Sequence, residues 1–519
     1  MRNIEMKMLL IHIFTLISIS SGARILGVIP TPSFSHQTVF WPIWKELSLR
    51  GHNVTVITTD PMNNPYLRNL TEINIQESYT IWRPLYESVK SANNPILINE
   101  RLQSIFQTIS KFVLTHTEVA ALLQNETVFD LVMVEAQYPE LLIFGEIYEC
   151  PTVMLRSLDA FSETHEAMGN SIHPIMNPDL NVPHFRELDF KARLISTTYY
   201  WYQQLLGFPR YMSKRNKIIR EYFGNDAPDI RQMLDKVSLL FLNIHPALHG
   251  VRLTGPNTIQ FGGSVHIRDP QPLPKDLKTY LDTAAEGVVY FSLGSNVLSA
   301  NLKASQFDAI IQALGELPYK VLWKYELDDI PHKPQNIKFF KWFPQQDVLR
   351  HPNIRAFVTQ GGLQSLEEAI YCHVPVVVLP FATDQQQNAK KVEYKQIGKV
   401  IYHKSSGINK VELKNAIIEV IENTSYRENM KILAELLTDE PMSGVEKVIW
   451  WTEYVIRHKG AKHLRNPSLD VPFYQYFMLD IIAFWTVTFI LLLLLVVVAC
   501  QITNPFLSSA IGCMKCKKE

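Results

Sequence analysis

The 519-residue sequence predicts an α/β protein: two domains, each an open parallel sheet with helices on both faces, then one membrane-spanning helix. Three observations carry that reading. Strand patterns alternate with helical ones from Arg24 to Asn243 and again from Gly287 onward. A stretch dense in proline and glycine, Leu253 to Pro274, separates the two runs and reads as a linker. An uncharged apolar run, Ile481 to Ala499, approaches the roughly 20 residues a helix needs to cross a bilayer.

The chain opens with charges at Arg2 and Lys7, an apolar run from Met8 to Ile19, and small residues at Ser21 and Ala23. That pattern predicts a signal peptide over residues 1–23. The expected order is then a first domain over 24–252, a linker over 253–275, a second domain over 276–465, a juxtamembrane stretch over 466–480, a transmembrane helix over 481–500 and a cytosolic tail over 501–519. The tail closes on Lys515, Cys516, Lys517, Lys518 and Glu519, a Lys–x–Lys–x–x ending of the endoplasmic-reticulum retrieval type. Arg457, Lys459 and Lys462 fall on the other side of the span, but long domains translocate largely regardless of charge. The expectation is a single-pass type I protein of the endoplasmic-reticulum membrane with its body in the lumen.

Formal net charge is zero, which gives no reason to expect nucleic acid as a partner. Of five cysteines only Cys150 and Cys372 would be luminal, so no disulfide scaffold is expected, and each should be a buried thiol in its own domain. Cys513 and Cys516 suit palmitoylation better than zinc. His184, His245 and His249 have no carboxylate or cysteine at ligand spacing, so no metal is expected. Sequons stand at Asn53, Asn69, Asn125 and Asn423; Asn53 opens a strand, which leaves the other three as the better glycan acceptors.

In chain order, RILGVIP from Arg24 is a buried strand and PSFSH a polar turn; Phe40, Ile43, Trp44 and Leu47 then mark one helix face. Gly51 ends that helix and HNVTVITTD is the next strand. The aromatic-rich segments 69–109 and 161–223 read as loops and helices over an apolar pocket. His36 lies in the turn after the first strand and Glu135 ends another, LVMV. Ligand crevices of open α/β sheets form outside the carboxyl ends of strands, so the two side chains can converge. A histidine there is a candidate base, and a carboxylate on its far nitrogen would fix the tautomer and stabilise imidazolium. Asp130 precedes its strand rather than following it, which favours Glu135 as the partner.

The second domain opens with GVVYFSLGSN, a strand running into a Gly–Ser turn at Ser295, then a helix with Phe307, Ile310, Ile311 and Leu314 on one face. From Trp342 to Asn388 the chain reads as a nucleotide-binding half-domain. Trp342 and Gln345 come first, then a strand from Ile354 to Thr359. Gln360, Gly361 and Gly362 lead into a helix that carries Gln364, Ser365 and Glu368. A strand from Pro375 to Leu379 leads on to Asp384 and Gln385. Free N–H groups at a glycine turn and a helix N-terminus favour a phosphate. In YCHVP the helix must stop at His373, and such ends commonly place their last residue in the left-handed region.

The Trp342–Asn388 stretch resembles the signature of the UDP-glycosyltransferases, and the likeness extends over nearly the whole chain, strongest from Gly287 to Leu464. The resemblance implies a GT-B fold of two facing Rossmann-like domains and inverting transfer of a hexosyl group. It implies that Trp342 stacks on uracil, Gln345 bonds its edge and Glu368 accepts from the ribose. Gln360, Gly361 and Gly362 would form the phosphate turn, Gln364 and Ser365 would belong to the same UDP-sugar site, Ser295 would make a second phosphate or base contact, and Asp384 with Gln385 would hold the sugar hydroxyls. His36 would be the base and Glu135 its carboxylate, where the family usually has Asp. No cofactor is implied beyond the UDP-sugar donor. UDP-glucose is favoured by likeness to insect members, with UDP-glucuronate as the other donor. The expected partners are a UDP-sugar, a small lipophilic acceptor as in detoxification, the bilayer through 481–500, and a second copy of the chain where a homo-oligomer forms. At Gln360 most members carry His; Gln donates to a phosphate but adds no charge. That departure supports the alternative, a catalytically silent relative that binds a UDP-sugar or lipophile as a partner subunit. A glycosidase would need two carboxylates facing one bond and gives no reason for a nucleotide signature.

Overall fold

The computed structural model describes residues 22–92, 94–183, 189–327, 333–403 and 407–515. Most of the expected leader, His184 and the tail beyond residue 515 lie outside them. Two all-parallel sheets carry the body. The first comprises β1 (Arg24–Ile29), β2 (Asn53–Thr58), β3 (Leu70–Asn74), β4 (Leu131–Glu135), β5 (Thr152–Arg156), β6 (Val237–Leu242) and β7 (Thr258–Gln260), in the order β3-β2-β1-β4-β5-β6-β7. The second comprises β8 (Val288–Ser292), β9 (Lys320–Lys324), β10 (Ile337–Phe340), β11 (Ile354–Thr359), β12 (Val376–Val378) and β13 (Gly398–Val400), in the order β10-β9-β8-β11-β12-β13.

Both sheets are covered on both faces, so successive residues of one strand enter different cores. Ile25 and Ile29 of β1 pack with Val39, Phe40, Ile43, Trp44 and Leu47 of helix Phe34–Leu49, whereas Leu26 and Val28 face the opposite core. Val289 and Phe291 of β8 likewise part from Val288 and Tyr290. The strand order reverses between β1 and β4 and again between β8 and β11. Ile25 pairs with Leu131 and Val28 with Val134 in the first sheet, and Ser292 with Thr359 in the second. The turns after these strands therefore flank two crevices, the places where open parallel sheets bind ligands.

Four expectations need correction. The proline-rich segment is not all linker, since Thr258–Gln260 pairs with β6 as the edge of the first sheet. The segment 276–465 is not a single domain: helix Gly444–His458 returns to the first sheet, where Val448, Ile449 and Val455 join Ile25, Val39 and Phe40 in one core. His245 does find a carboxylate, Glu440, at 3.1 Å. Cys150 and Cys372 are free as expected but only half-buried. Residues 466–519 form a separate unit, in which Leu479–Cys500 is long and apolar enough to cross a membrane.

Candidate active site

The turns after β8 and β11 wall a cleft of about 320 Å³ lined by Tyr290, Ser295, Trp342, Gln345, Gly362 and Glu368, among others. The Trp342 ring stands out 57% exposed, steadied edge-on by Phe34 at 5.3 Å, with Lys324 Nζ 5.3 Å from its centre. A large aromatic left open beside a polar cleft can serve as a stacking platform. Behind it the polar groups satisfy one another. The Tyr290 hydroxyl donates to Gln345 Oε1 (3.1 Å), and Gln345 Nε2 donates to Ser365 Oγ (3.0 Å) and Glu368 Oε2 (2.6 Å). Gln346 Nε2 donates to Glu368 Oε1 at 3.0 Å, so both carboxylate oxygens are oriented before any ligand arrives. Both N–H groups of Gln345 are thus engaged, and only its carbonyl retains a lone pair for a base edge.

The turn expected to hold the phosphates is built around glycines. Gly361 adopts φ +83°, and a Cβ there would lie 2.6 Å from the Val378 side chain. Gly294 adopts φ +78°, and a Cβ would meet Gln360 Nε2 at 2.5 Å, so the amide of Gln360 occupies the room that Gly294 leaves. Helix Leu363–Tyr371 starts from Gly362, which has no side chain to cap its first N–H groups. Gln364 is turned away from the turn, donating across the cleft to the Ser157 carbonyl at 2.9 Å.

Gln385 lines the second cavity beside Asp384 and is anchored from behind. Its carbonyl accepts from the Phe381 and Ala382 N–H groups (2.9 and 3.1 Å) and its amide donates to Gln360 Oε1 (3.1 Å). It braces Gln360 with one amide hydrogen while lining the cavity. Asp384 accepts from Thr383 Oγ1 and Asn388 Nδ2, both at 3.0 Å, and burial raises its pKa. Thr383, at φ +52°, holds the strained backbone that aims this pair.

A second cavity opens where β1, β4 and β5 end. His36, Trp82, Tyr86, Phe106, Arg156 and Asp384 are among its lining, and it shares Ser35, Gln360, Gly362 and Gln364 with the first cleft. The phosphate turn is thus a common wall. His36 sits in the first turn of helix Phe34–Leu49, its Nδ1 at 2.7 Å from Ser157 Oγ. Burial, and then the charge of Arg156, lower its pKa to about 3, so the imidazole is neutral. In the tautomer whose Nδ1–H donates to Ser157, Nε2 is the nitrogen that can take a proton.

Glu135 does not reach His36. Its Oε2 accepts from the Thr31 N–H (3.1 Å) and hydroxyl (2.6 Å), and its Oε1 from Gln137 Nε2 (2.7 Å). Burial raises its pKa to about 7, against the lowering effect of those bonds and of Arg156. The carboxylate faces the charge of Arg156 instead, while a hydroxyl, Ser157, makes the direct contact with the ring. The expected Glu–His pair is replaced by a longer arrangement centred on Arg156. Sequence reasoning missed Ser157, Arg156, Lys324 and Gln346. The one available signal was a charge closing the otherwise apolar strand TVMLR, at the same carboxyl edge as His36 and Glu135.

Residues 24–517 match the family described as "UDP-glucoronosyl and UDP-glucosyl transferase". A UDP-glucosyltransferase 2 of Dactylopius coccus is 33% identical, covering 93% of this chain and 94% of its own. A UDP-glucuronosyltransferase 2B19 of Macaca fascicularis is 29% identical, with 92% of each covered. Among solved structures, the glycotransferase of kitacinnamycin aligns with TM-score 0.57 at 16% identity, over 83% of this chain and 98% of that one. LpCGTa in complex with UDP aligns with TM-score 0.51 at 16% identity, over 84% and 99%. Those likenesses show the fold, GT-B. Two facing parallel sheets, a phosphate turn between two cavities and a match spanning nearly the whole sequence lead to one conclusion: the chain belongs to the UDP-glucuronosyl and UDP-glucosyl transferase family and is a glycosyltransferase.

Proposed function

We propose that the enzyme transfers a hexosyl group from a UDP-sugar, UDP-glucose by preference, to a hydroxyl of small lipophilic acceptors, with inversion. The observation that carries this reading is the wall common to both cavities: a donor held by the phosphate turn presents its sugar toward the cavity that contains His36. His36 Nε2 removes the acceptor proton, and the oxygen attacks the anomeric carbon. The bond to the UDP oxygen breaks on the opposite face, and UDP leaves with the electron pair. Asp384 receives sugar hydroxyls, and Trp342 stacks on uracil. The preference for glucose rests on likeness to the UDP-glucosyltransferase 2 of D. coccus. Anchoring by Leu479–Cys500 in the endoplasmic reticulum, with the body luminal, completes the proposal, as does a role in disposing of lipophiles.

Gln360 favours a second reading, a silent binding subunit. Against it, Lys324 brings a cation to the same cleft that Gln360 cannot supply, and His36 is retained. Purified membranes supplied with 1-naphthol and either UDP-glucose or UDP-glucuronate separate the readings. A β-linked product by NMR, formed faster from UDP-glucose, is expected. UDP binding without product from either donor would support the silent relative.

A further inference from the structure

We infer that Arg156 selects acceptors that carry an anionic group, a carboxylate foremost, in addition to the hydroxyl that receives the sugar. This rests on the second cavity being the acceptor site.

Arg156 ends β5 and is only 4% exposed. Its guanidinium lies over the Phe161 ring at 4.0 Å, yet Nε and Nη1 are buried without a hydrogen-bond partner. Among the described residues no carboxylate forms an ion pair with it. The four carboxylates whose charge it feels are Glu135, Glu163, Asp159 and Asp179, and each is engaged elsewhere. Glu135 is held by Thr31 and Gln137. Glu163 accepts from Gln103 at 2.9 Å. Asp159 lies 3.0 Å from His165 and 3.1 Å from Arg252. Asp179 accepts from the Ser162 and Asn181 N–H groups and the Tyr199 hydroxyl. Arg215, equally buried in the same domain, shows the usual treatment, with Glu140 at 3.3 Å and Gln103 and Gln137 as further acceptors. Burying an unpaired guanidinium is costly, and the cost is recovered when an anion arrives with two oxygens matched to the fork.

The surroundings say what that anion is attached to. Trp82, Tyr86, Leu102, Phe106, Phe161 and Leu180 line the cavity beside Arg156, surfaces for a flat or aliphatic skeleton. His36 shares the same wall, so one molecule can offer its carboxylate to Arg156 and its hydroxyl to Nε2. Such an acceptor also helps its own activation. The charge of Arg156 opposes imidazolium formation at His36, and a carboxylate paired with the guanidinium cancels that opposition.

The test uses 3-(4-hydroxyphenyl)propanoate, its methyl ester and its amide as acceptors for the full-length enzyme in membranes, with 1-naphthol alongside. Wild type should show a kcat/KM at least about tenfold higher for the acid than for the ester or amide, the worth of one charge-assisted contact. That ratio should collapse toward one in Arg156→Gln and be partly restored in Arg156→Lys. Equal kcat/KM for acid and ester in wild type, or an unchanged ratio in Arg156→Gln, overturns the inference while turnover of 1-naphthol leaves the transferase reading standing. Should Arg156→Gln be inactive on every acceptor, the wild-type ratio and the Arg156→Lys ratio decide. Should wild type turn over none of them, calorimetric binding of acid against ester decides, equal affinities overturning the role of Arg156 and acid preference sustaining it.

Discussion

The donor wall and the acceptor wall both stand at a switch point of a parallel sheet, yet their polar groups are treated in opposite ways. On the donor side Tyr290, Gln345, Gln346, Ser365 and Glu368 form one closed chain of hydrogen bonds, and Gln385 braces Gln360. Of the residues lining that cleft, His266 alone has a buried side-chain polar atom without a partner, Nδ1. On the acceptor side Trp82 Nε1, Gln137 Oε1, Asn181 Oδ1 and two nitrogens of Arg156 are left unbonded. A wall that binds one constant ligand can be fully organised in advance, since every hydrogen bond made within the protein lowers the ordering cost at binding. A wall that meets varied molecules keeps polar groups in reserve within an aromatic surface.

If that division is right, substitutions on the two walls should separate catalysis from donor binding. The largest effect is expected at His36. His36→Ala should lower kcat by about 10²–10⁴-fold, the usual worth of a positioned base. Stopped assays with saturating UDP-glucose check it, and a rate within a few-fold of wild type would remove His36 from the mechanism.

Next comes the stacking platform. Trp342→Ala should weaken the donor by about 1–3 kcal/mol, read as a raised KM for the UDP-sugar, with kcat for bound donor little changed. An unchanged donor KM would mean that the exposed ring serves something else.

The pH profile sharpens the acceptor side. As a carboxylate, Glu135 offsets the charge of Arg156 that opposes imidazolium formation at His36, and its pKa is raised to about 7. The acid limb of kcat/KM should therefore rise with pH through about 7 and flatten in Glu135→Gln. Because Arg156 pulls the pKa of Glu135 down, Arg156→Gln should move that limb to higher pH. A limb that stays near 7 in Glu135→Gln belongs to another group, with Glu163 next in line at about 7.

The smallest effect concerns neither wall. His373 follows helix Leu363–Tyr371 at φ +56°; its N–H bonds the Ile370 carbonyl and that of Val374 bonds the Ala369 carbonyl, each at 2.9 Å. This is the Schellman ending the sequence implied. His373→Gly should raise stability by about 1 kcal/mol, seen as a higher melting temperature, and leave donor KM alone. A lower melting temperature would reveal a contact of the ring that outweighs the backbone strain.

The contrast between the walls also explains what could be read from the sequence. Much of the donor wall is written in one continuous stretch, so Trp342, Gln345, Gly361, Gly362 and Glu368 stand out together as a motif, and β11 runs from Ile354 to Thr359 as the pattern says. The acceptor wall is assembled from β1, β4, β5 and two long helices, and nothing in linear order tells that Ser157 meets His36 or that Glu135 turns toward Thr31. The return of helix Gly444–His458 to the first sheet was hidden for the same reason: its apolar face suits either sheet, and only three-dimensional adjacency chooses. Gln385 shows what spacing leaves unsaid within the motif itself, since its amide also braces the site through Gln360.

Calorimetric titration of UDP into wild type, His36→Ala and Glu368→Ala tests the division most directly. The account predicts that His36→Ala binds UDP as tightly as wild type despite its lost turnover, whereas Glu368→Ala, which breaks the chain joining Gln345 to Gln346, binds it at least about tenfold more weakly. Equal loss of UDP affinity in both variants would contradict it, because the two walls would then be one coupled site.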